Sequence, residues 1–159
     1  MRFKVPSERN TSFYETFTIE LNDINSKGGA FLKIIWENTM VKIPIKSKED
    51  DTILALIDKH LITAKTQDPA LLFQAANYYY STNRDYRQAI MWLEEAEKLN
   101  PENFYYPNLR QKIASESKDY INAIDAAKKA LALAEKEKMK STIEILKEKI
   151  NNWETLLKK

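Results

Sequence analysis

The sequence predicts an α+β fold, mainly α: a small antiparallel β sheet followed by an array of paired antiparallel helices with a helical cap at each end. Three observations carry this. Before Ser47, apolar and polar residues alternate with a period of two, the mark of half-buried strands. From Ser47 onward, apolar residues recur at helical spacing between Asp, Ser and Pro punctuation. Asp-Tyr-x-x-Ala-Ile occurs twice, at 85–90 and 119–124, an offset of 34 residues that is typical of a helix–turn–helix repeat.

Strands are expected at 15–21, 30–37 and 40–45. Phe17, Ile19 and Leu21 alternate with Thr18 and Glu20, and Leu32, Ile34 and Trp36 alternate with Lys33 and Ile35. Gly28-Gly29 supplies the first turn, and Asn38 sits in a short link before the third strand. Val41, Ile43 and Ile45 form that strand's apolar face, and Pro44 marks a sheet edge. Phe3 and Val5 suggest a short fourth strand. Such a sheet needs a covering layer. Either the first helix supplies it, or the chain holds only the end of a larger β domain.

The helices follow from their ends. Ser47-Lys48-Glu49-Asp50 resembles a capping box, with Asp in the usual Glu place, and opens a stripe of Ile53, Leu54, Leu56, Ile57, Leu61 and Ala64. Asp68-Pro69 is a cap followed by proline at the first helical position, starting a helix to about Ser81. A turn at 82–84 leads to a helix from Asp85 to Leu99, stopped by Asn100-Pro101. Pro107 fits the first turn of a helix to about Ser117. Asp119 starts a long helix that needs no turn until about Lys138. Ser141-Thr142-Ile143-Glu144 is a capping box for a last amphipathic helix. Domains are therefore expected at 1–48 and 49–159, with repeats at about 70–103 and 104–137 and capping helices at about 50–66 and 141–158.

Phe73, Ala76, Asn77 and Tyr80 on one helix, Ala89, Leu93 and Ala96 on the next, and the closing Pro101 resemble the tetratricopeptide pattern. Small residues at Ala76, Ala89 and Ala96 let the two helices approach closely while Phe73, Tyr80 and Leu93 fill the gaps. The second unit matches through Tyr120, Ala123, Ala127 and Ala130. It departs at Pro107, where a large aromatic is expected, and at Glu135, which replaces the closing proline.

Read together, Phe17-Thr18-Ile19, the segment 32–39 and Val41-Lys42-Ile43-Pro44-Ile45 are similar to the closing strands of the domain-of-unknown-function 2911 family. Ala75-Ala76-Asn77-Tyr78-Tyr79, the Ala89/Trp92/Ala96 helix and Asp119-Tyr120-Ala123-Ile124 resemble the helical tail that follows them. The resemblance implies a bacterial protein, an exported precursor, and a longer β domain whose front this chain lacks. It implies no known chemistry.

Composition excludes several functions. The 159 residues are 43% hydrophobic, enough for a core and too many for wholesale disorder. Lys+Arg 25 against Asp+Glu 23 gives a net charge of +2, with both signs interleaved. No basic stripe points to nucleic acid. No run reaches the roughly 18 apolar residues of a membrane span, so the chain reads as soluble, its compartment undetermined. The absence of cysteine removes thiol catalysis and thiolate metal sites.

His60 is the only histidine and has no imidazole or thiolate partner, so it reads as a helix-face residue. Neighbouring carboxylates such as Asp50/Asp51 and Glu94/Glu95 diverge on a helix and do not flank one substrate atom. Two glycines make no phosphate loop. The expected protein is not an enzyme and carries no cofactor and no metal.

The remaining candidate site is aromatic and polar. Tyr78, Tyr79 and Tyr80 point roughly 100° apart on one helix, so they do not all face the core. In the repeat register Gln74, Tyr78 and Ser81 face the concave groove, and Tyr105, Asn108 and Lys112 take the corresponding places in the second unit. Such a groove suits a protein or peptide partner. The competing reading packs Tyr78 and Tyr105 against the caps or the sheet. The function expected is thus a non-catalytic protein-interaction module, or else a structural buttress for an upstream β domain. Open strand edges add pairing into a homodimer as a further option.

Overall fold

A computed structural model describes residues 2, 4–25 and 28–158. The chain divides into two compact units, Met1–Asp58 and Lys59–Lys159. Its architecture is α+β and mainly α: a two-stranded antiparallel sheet followed by six α-helices.

In the first unit, β1 (Ser7–Asn22) pairs with β2 (Gly29–Lys46). The expected second and third strands are one continuous strand. Glu37, at the expected end of the second strand, takes φ 52 inside β2 and bends the strand without ending it. Between the pairs Arg9↔Thr39 and Thr18↔Ile35, β1 advances nine residues where β2 advances four. Such bulges coil a ribbon strongly. Phe3 lies outside the described residues, and Val5 precedes β1 without joining it. Among the described residues the pairing of β2 with β1 reaches Val41, so Pro44 lies beyond it. At the turn Gly28 has φ 74, and a Cβ there would lie 3.0 Å from the Ser47 Cβ.

Cross-strand partners share a face, so Ile19/Ile34 and Leu21/Leu32 line one face and Thr18/Ile35, Glu20/Lys33 and Asn22/Phe31 the other. Alternation favours burial of the first face, but Ile19 and Leu21 stay at least half exposed, as do Phe17 and Trp36, while Ile35 is 2% exposed. β2 is apolar on both faces, and a period of two does not decide between Ile34 and Ile35. The first helix, α1 (Glu49–Ile57), leaves this apolar face bare. Ser47 accepts a bond from Glu49 N at 3.1 Å. The helix nevertheless starts after Lys48, which supplies no side-chain cap. A π-helical turn, Asp58–Thr63, follows and contains His60.

In the second unit, α2 (Pro69–Ser81) packs on α3 (Tyr86–Leu99), α4 (Tyr105–Glu116) on α5 (Tyr120–Lys136), and α6 (Lys140–Leu156) on α5. Three aspartates start helices as expected. Asp68 accepts from Ala70 N at 2.8 Å, Asp85 from Arg87 N at 2.9 Å and Asp119 from Asn122 N at 3.2 Å. The last helix starts two residues earlier than its capping box implies, after Met139, so Ser141 lies inside it without a capping bond.

Helix ends α2, α4 and α5 share one device. Asn83, Lys118 and Lys138 have φ 50, 59 and 57. The next N–H reaches back five residues in each case: Arg84 to Tyr79 at 2.8 Å, Asp119 to Ala114 at 2.9 Å and Met139 to Ala134 at 2.9 Å. This is the Schellman stop, which satisfies otherwise orphaned carbonyls. Ala76, Ala89 and Ala96 have no exposed surface, and nor do Ala123, Ala127 and Ala130, so each helix pair meets at the small residues. Leu72, Leu93, Ile113 and Leu146 fill the spaces between.

Candidate functional site

On α2, Gln74 and Ser81 are exposed and Tyr78 is half-buried. The Ser81 hydroxyl donates to the Tyr78 carbonyl at 3.1 Å. The Arg84 guanidinium lies 5.8 Å from the centre of the Tyr78 ring. That ring is therefore engaged on one side by a residue of the α2–α3 turn.

On α4, Tyr105, Asn108 and Lys112 are spaced three and four residues apart and so share one face. Tyr105 is 61% exposed. Its ring lies 6.5 Å from Phe73 of α2 and 5.7 Å edge-on from Phe104, making Phe73 the link between the two sets. Asn108 is half-buried and its Oδ1 accepts from Gln111 Nε2 at 3.3 Å. Lys112 is exposed. Its charge acts on Lys149 of α6, whose ammonium is held below the ordinary lysine pKa, first by burial and second by Lys112.

Three further groupings surround these residues. The Glu116 carboxylate accepts from the Tyr80 hydroxyl at 2.6 Å and from the Tyr86 hydroxyl at 3.1 Å, joining α2, α3 and α4. The bond to Glu116, then burial, pushes Tyr80 up to about 12. Arg110, 4% exposed, meets Glu97 at 2.7 and 3.2 Å and Asp125 at 3.2 Å. Burial opposes the Arg110 charge, but Glu97 and then Asp125 outweigh it and raise the pKa. A groove of about 600 Å³ between α3, α4 and α5 is lined by Glu94, Glu97, Arg110, Asp125, Lys129 and Leu133 among others. Its charges balance, its guanidinium is saturated, and none of the six predicted site residues lines it.

Sequence reading missed Lys149 and Gln111. Gln111 is fully buried with an Oε1 that has no hydrogen-bond partner. Lys149 escaped because α6 reads as a cap, which removes it from the repeat register. Among the described residues no three His, Cys, Asp or Glu side chains converge on a metal-sized site, and no helix is long and apolar enough to cross a membrane. No protein-family model matches the chain, and no curated protein does either.

Proposed function

We propose that the chain is a non-catalytic, tetratricopeptide-like interaction module that binds an extended protein or peptide segment along the face carrying Gln74, Tyr78, Ser81, Tyr105, Asn108 and Lys112. The observation behind this reading is Tyr105: a large aromatic left 61% exposed while its ring lies against Phe104, edge to face, and beside a tilted Phe73. An anchored yet accessible ring loses little side-chain entropy on binding. Exposed polar groups at Gln74, Ser81 and Lys112 supply orienting contacts around it.

The test is selection of peptides from a displayed random library against the intact chain, followed by affinity measurement on Tyr105→Ala and Tyr78→Ala. At least a tenfold loss of affinity in Tyr105→Ala at unchanged melting temperature is expected. A selection that yields no peptide, or peptides indifferent to Tyr105→Ala, rejects the reading.

A second reading rests on the bare apolar face of the ribbon. Phe17, Ile19, Leu21 and Trp36 form a surface that soluble chains usually cover. The helices would then buttress further strands of a β domain of the kind the domain-of-unknown-function 2911 resemblance implies. Hydrogen exchange compares the two: the β1 and β2 amides gain protection in a longer natural form of the protein if this reading holds, and do not if it fails.

A further inference from the structure

The loop between α3 and α4 and the turn between α5 and α6 lie side by side. Glu102 and Lys136, 34 residues apart, form an ion pair across them. The same offset relates Asn103 to Glu137 and Tyr105 to Met139. A groove of about 330 Å³ lies between these positions, lined by Glu102, Asn103, Phe104, Tyr105, Glu137 and Met139 among others. It is built from equivalent places in successive helix pairs. Its volume is at the low end for ligand pockets and suits one side chain.

Four helix ends border the groove. Asn100 and Glu137 follow α3 and α5, and Phe104 and Met139 precede α4 and α6. The partial charges of two C-termini and two N-termini roughly cancel, so the side chains decide. Among the described residues no lysine, arginine or histidine lines the groove, and Lys138 and Lys140 only flank Glu137 and Met139 in sequence. Glu102 is engaged by Lys136, and Asn103 Oδ1 accepts from Tyr105 N at 2.9 Å. That leaves the Glu137 carboxylate, exposed and with no side-chain partner among the described residues. Beside it are two aromatic rings with centres 5.7 Å apart, Phe104 and Tyr105. Phe104 is buried and Tyr105 is exposed, so Tyr105 offers the accessible ring surface, and an aromatic face attracts a cation.

We propose that this groove takes an arginine side chain of the bound segment, its guanidinium paired with Glu137 and stacked on Tyr105. This deepens the interaction reading above and rests on it. Arginine fits better than lysine because its planar guanidinium stacks on a ring and forks to a carboxylate at the same time. Phe104 lines the groove and Phe73 does not, so Tyr105 borders both the groove and the α2 residues of the interaction face. Alternate side chains of an extended chain point the same way. A segment whose apolar side chain rests where Tyr105 meets Phe73 therefore carries arginine into the groove two residues along.

Fluorescence anisotropy on the intact chain tests this with two labelled decapeptides, blocked at both ends and otherwise neutral. One carries an arginine with a leucine two positions away on each side. The other has citrulline, the neutral isostere, in place of arginine. The arginine peptide is expected to bind at least fivefold more tightly, by a margin that shrinks as salt rises. Glu137→Gln removes the margin at unchanged melting temperature, and Glu148→Gln, at an exposed position of α6, keeps it. Lys136→Gln widens it by releasing the Glu102 carboxylate to the groove. Equal binding of the two peptides overturns the proposal, as does a margin that survives Glu137→Gln or fails to widen in Lys136→Gln. Displacement of the arginine peptide by N-acetylarginine amide at comparable concentration makes the ligand a free guanidinium compound and overturns the protein source. Equal binding that Tyr105→Ala abolishes overturns the basic preference alone and leaves the interaction reading standing. Absence of binding by both peptides overturns the proposal, and with a failed library selection the interaction reading falls as well.

Discussion

Arg110 and Glu97 are joined at two points across the α3–α4 interface, Nε to Oε1 at 2.7 Å and Nη2 to Oε2 at 3.2 Å. The planar guanidinium matches the carboxylate fork, and Asp125 of α5 takes a third bond, so one side chain fixes three helices. Removing one partner of a buried pair leaves the other charge uncompensated. Arg110→Ala is expected to lower stability by about 3 kcal/mol, measured by urea denaturation followed at the helical circular dichroism band. Arg110→Lys recovers only part of the loss, because an ammonium does not reproduce the two-point geometry.

Tyr80 provides the pH test. Its phenol keeps its proton up to about 12 in the folded chain against about 10 unfolded. A raised pKa means that the folded state holds the proton more tightly. The stabilisation is therefore complete below pH 10 and is lost as pH climbs through about 12. Tyr80→Phe lowers stability by about 1 kcal/mol at neutral pH, a value reduced for partial exposure, and flattens the alkaline decline. Ultraviolet titration of the tyrosines in Glu116→Gln should show Tyr80 moving back toward its ordinary range.

Lys118 stands in the left-handed region, φ 59, at the Schellman stop of α4. A β-carbon is disfavoured there and glycine is not. Lys118→Gly is expected to raise stability by about 0.5 kcal/mol, the relief of strain outweighing the added freedom of the unfolded chain. The same substitution at Lys112, inside α4, costs about 1 kcal/mol. Melting temperatures of the two variants should therefore move in opposite directions.

Ala89 has no exposed surface and sits where α3 meets α2. Ala89→Leu adds a branched side chain where only a methyl fits, and is expected to cost at least about 2 kcal/mol through overpacking. Ala132→Leu, at an exposed position of α5, should change stability by less than about 0.5 kcal/mol. Equal effects in chemical denaturation would mean that the close approach of α2 and α3 is not what alanine provides.

The helical half was legible because its boundaries lie in local chemistry. Asp68, Asp85 and Asp119 each accept bonds from the first turn of the helix they open, and the 34-residue offset put alanines at both contacts. Capping boxes misled at Ser47 and Ser141, where the serine lies one residue before the true N-cap, Lys48, and two residues after the true N-cap, Met139. The strands were less legible. A positive φ at Glu37 turns an apparent link into a bend, and nothing local distinguishes the two. All six candidate site residues lie on the expected helices. The partners of Arg110, 13 and 15 residues away on other helices, depend on how three helices rotate against one another, which periodicity does not fix.

The ribbon offers the last prediction, because two neighbouring isoleucines of equal hydrophobicity lie on opposite faces. Ile35 is 2% exposed and Ile19 is 59% exposed. Truncating a buried isoleucine removes its transfer free energy and leaves a cavity, so Ile35→Ala should cost about 2–4 kcal/mol in the first unit. Ile19→Thr removes a side chain that is already largely in water and keeps the β-branch that strands favour, so it should change stability by less than about 0.5 kcal/mol. Its effect lies in association. Breaking the Phe17/Ile19/Leu21 stripe removes apolar surface that otherwise drives sheets together. Sedimentation velocity over a concentration series should show Ile19→Thr weighing less at high concentration than the unaltered chain, while Trp36 fluorescence, isolated by replacing Trp92 and Trp153 with Phe, follows the unfolding of each variant. If Ile19→Thr destabilises as much as Ile35→Ala, the stripe is covered in solution and the bare-face argument for a buttressed β domain is lost.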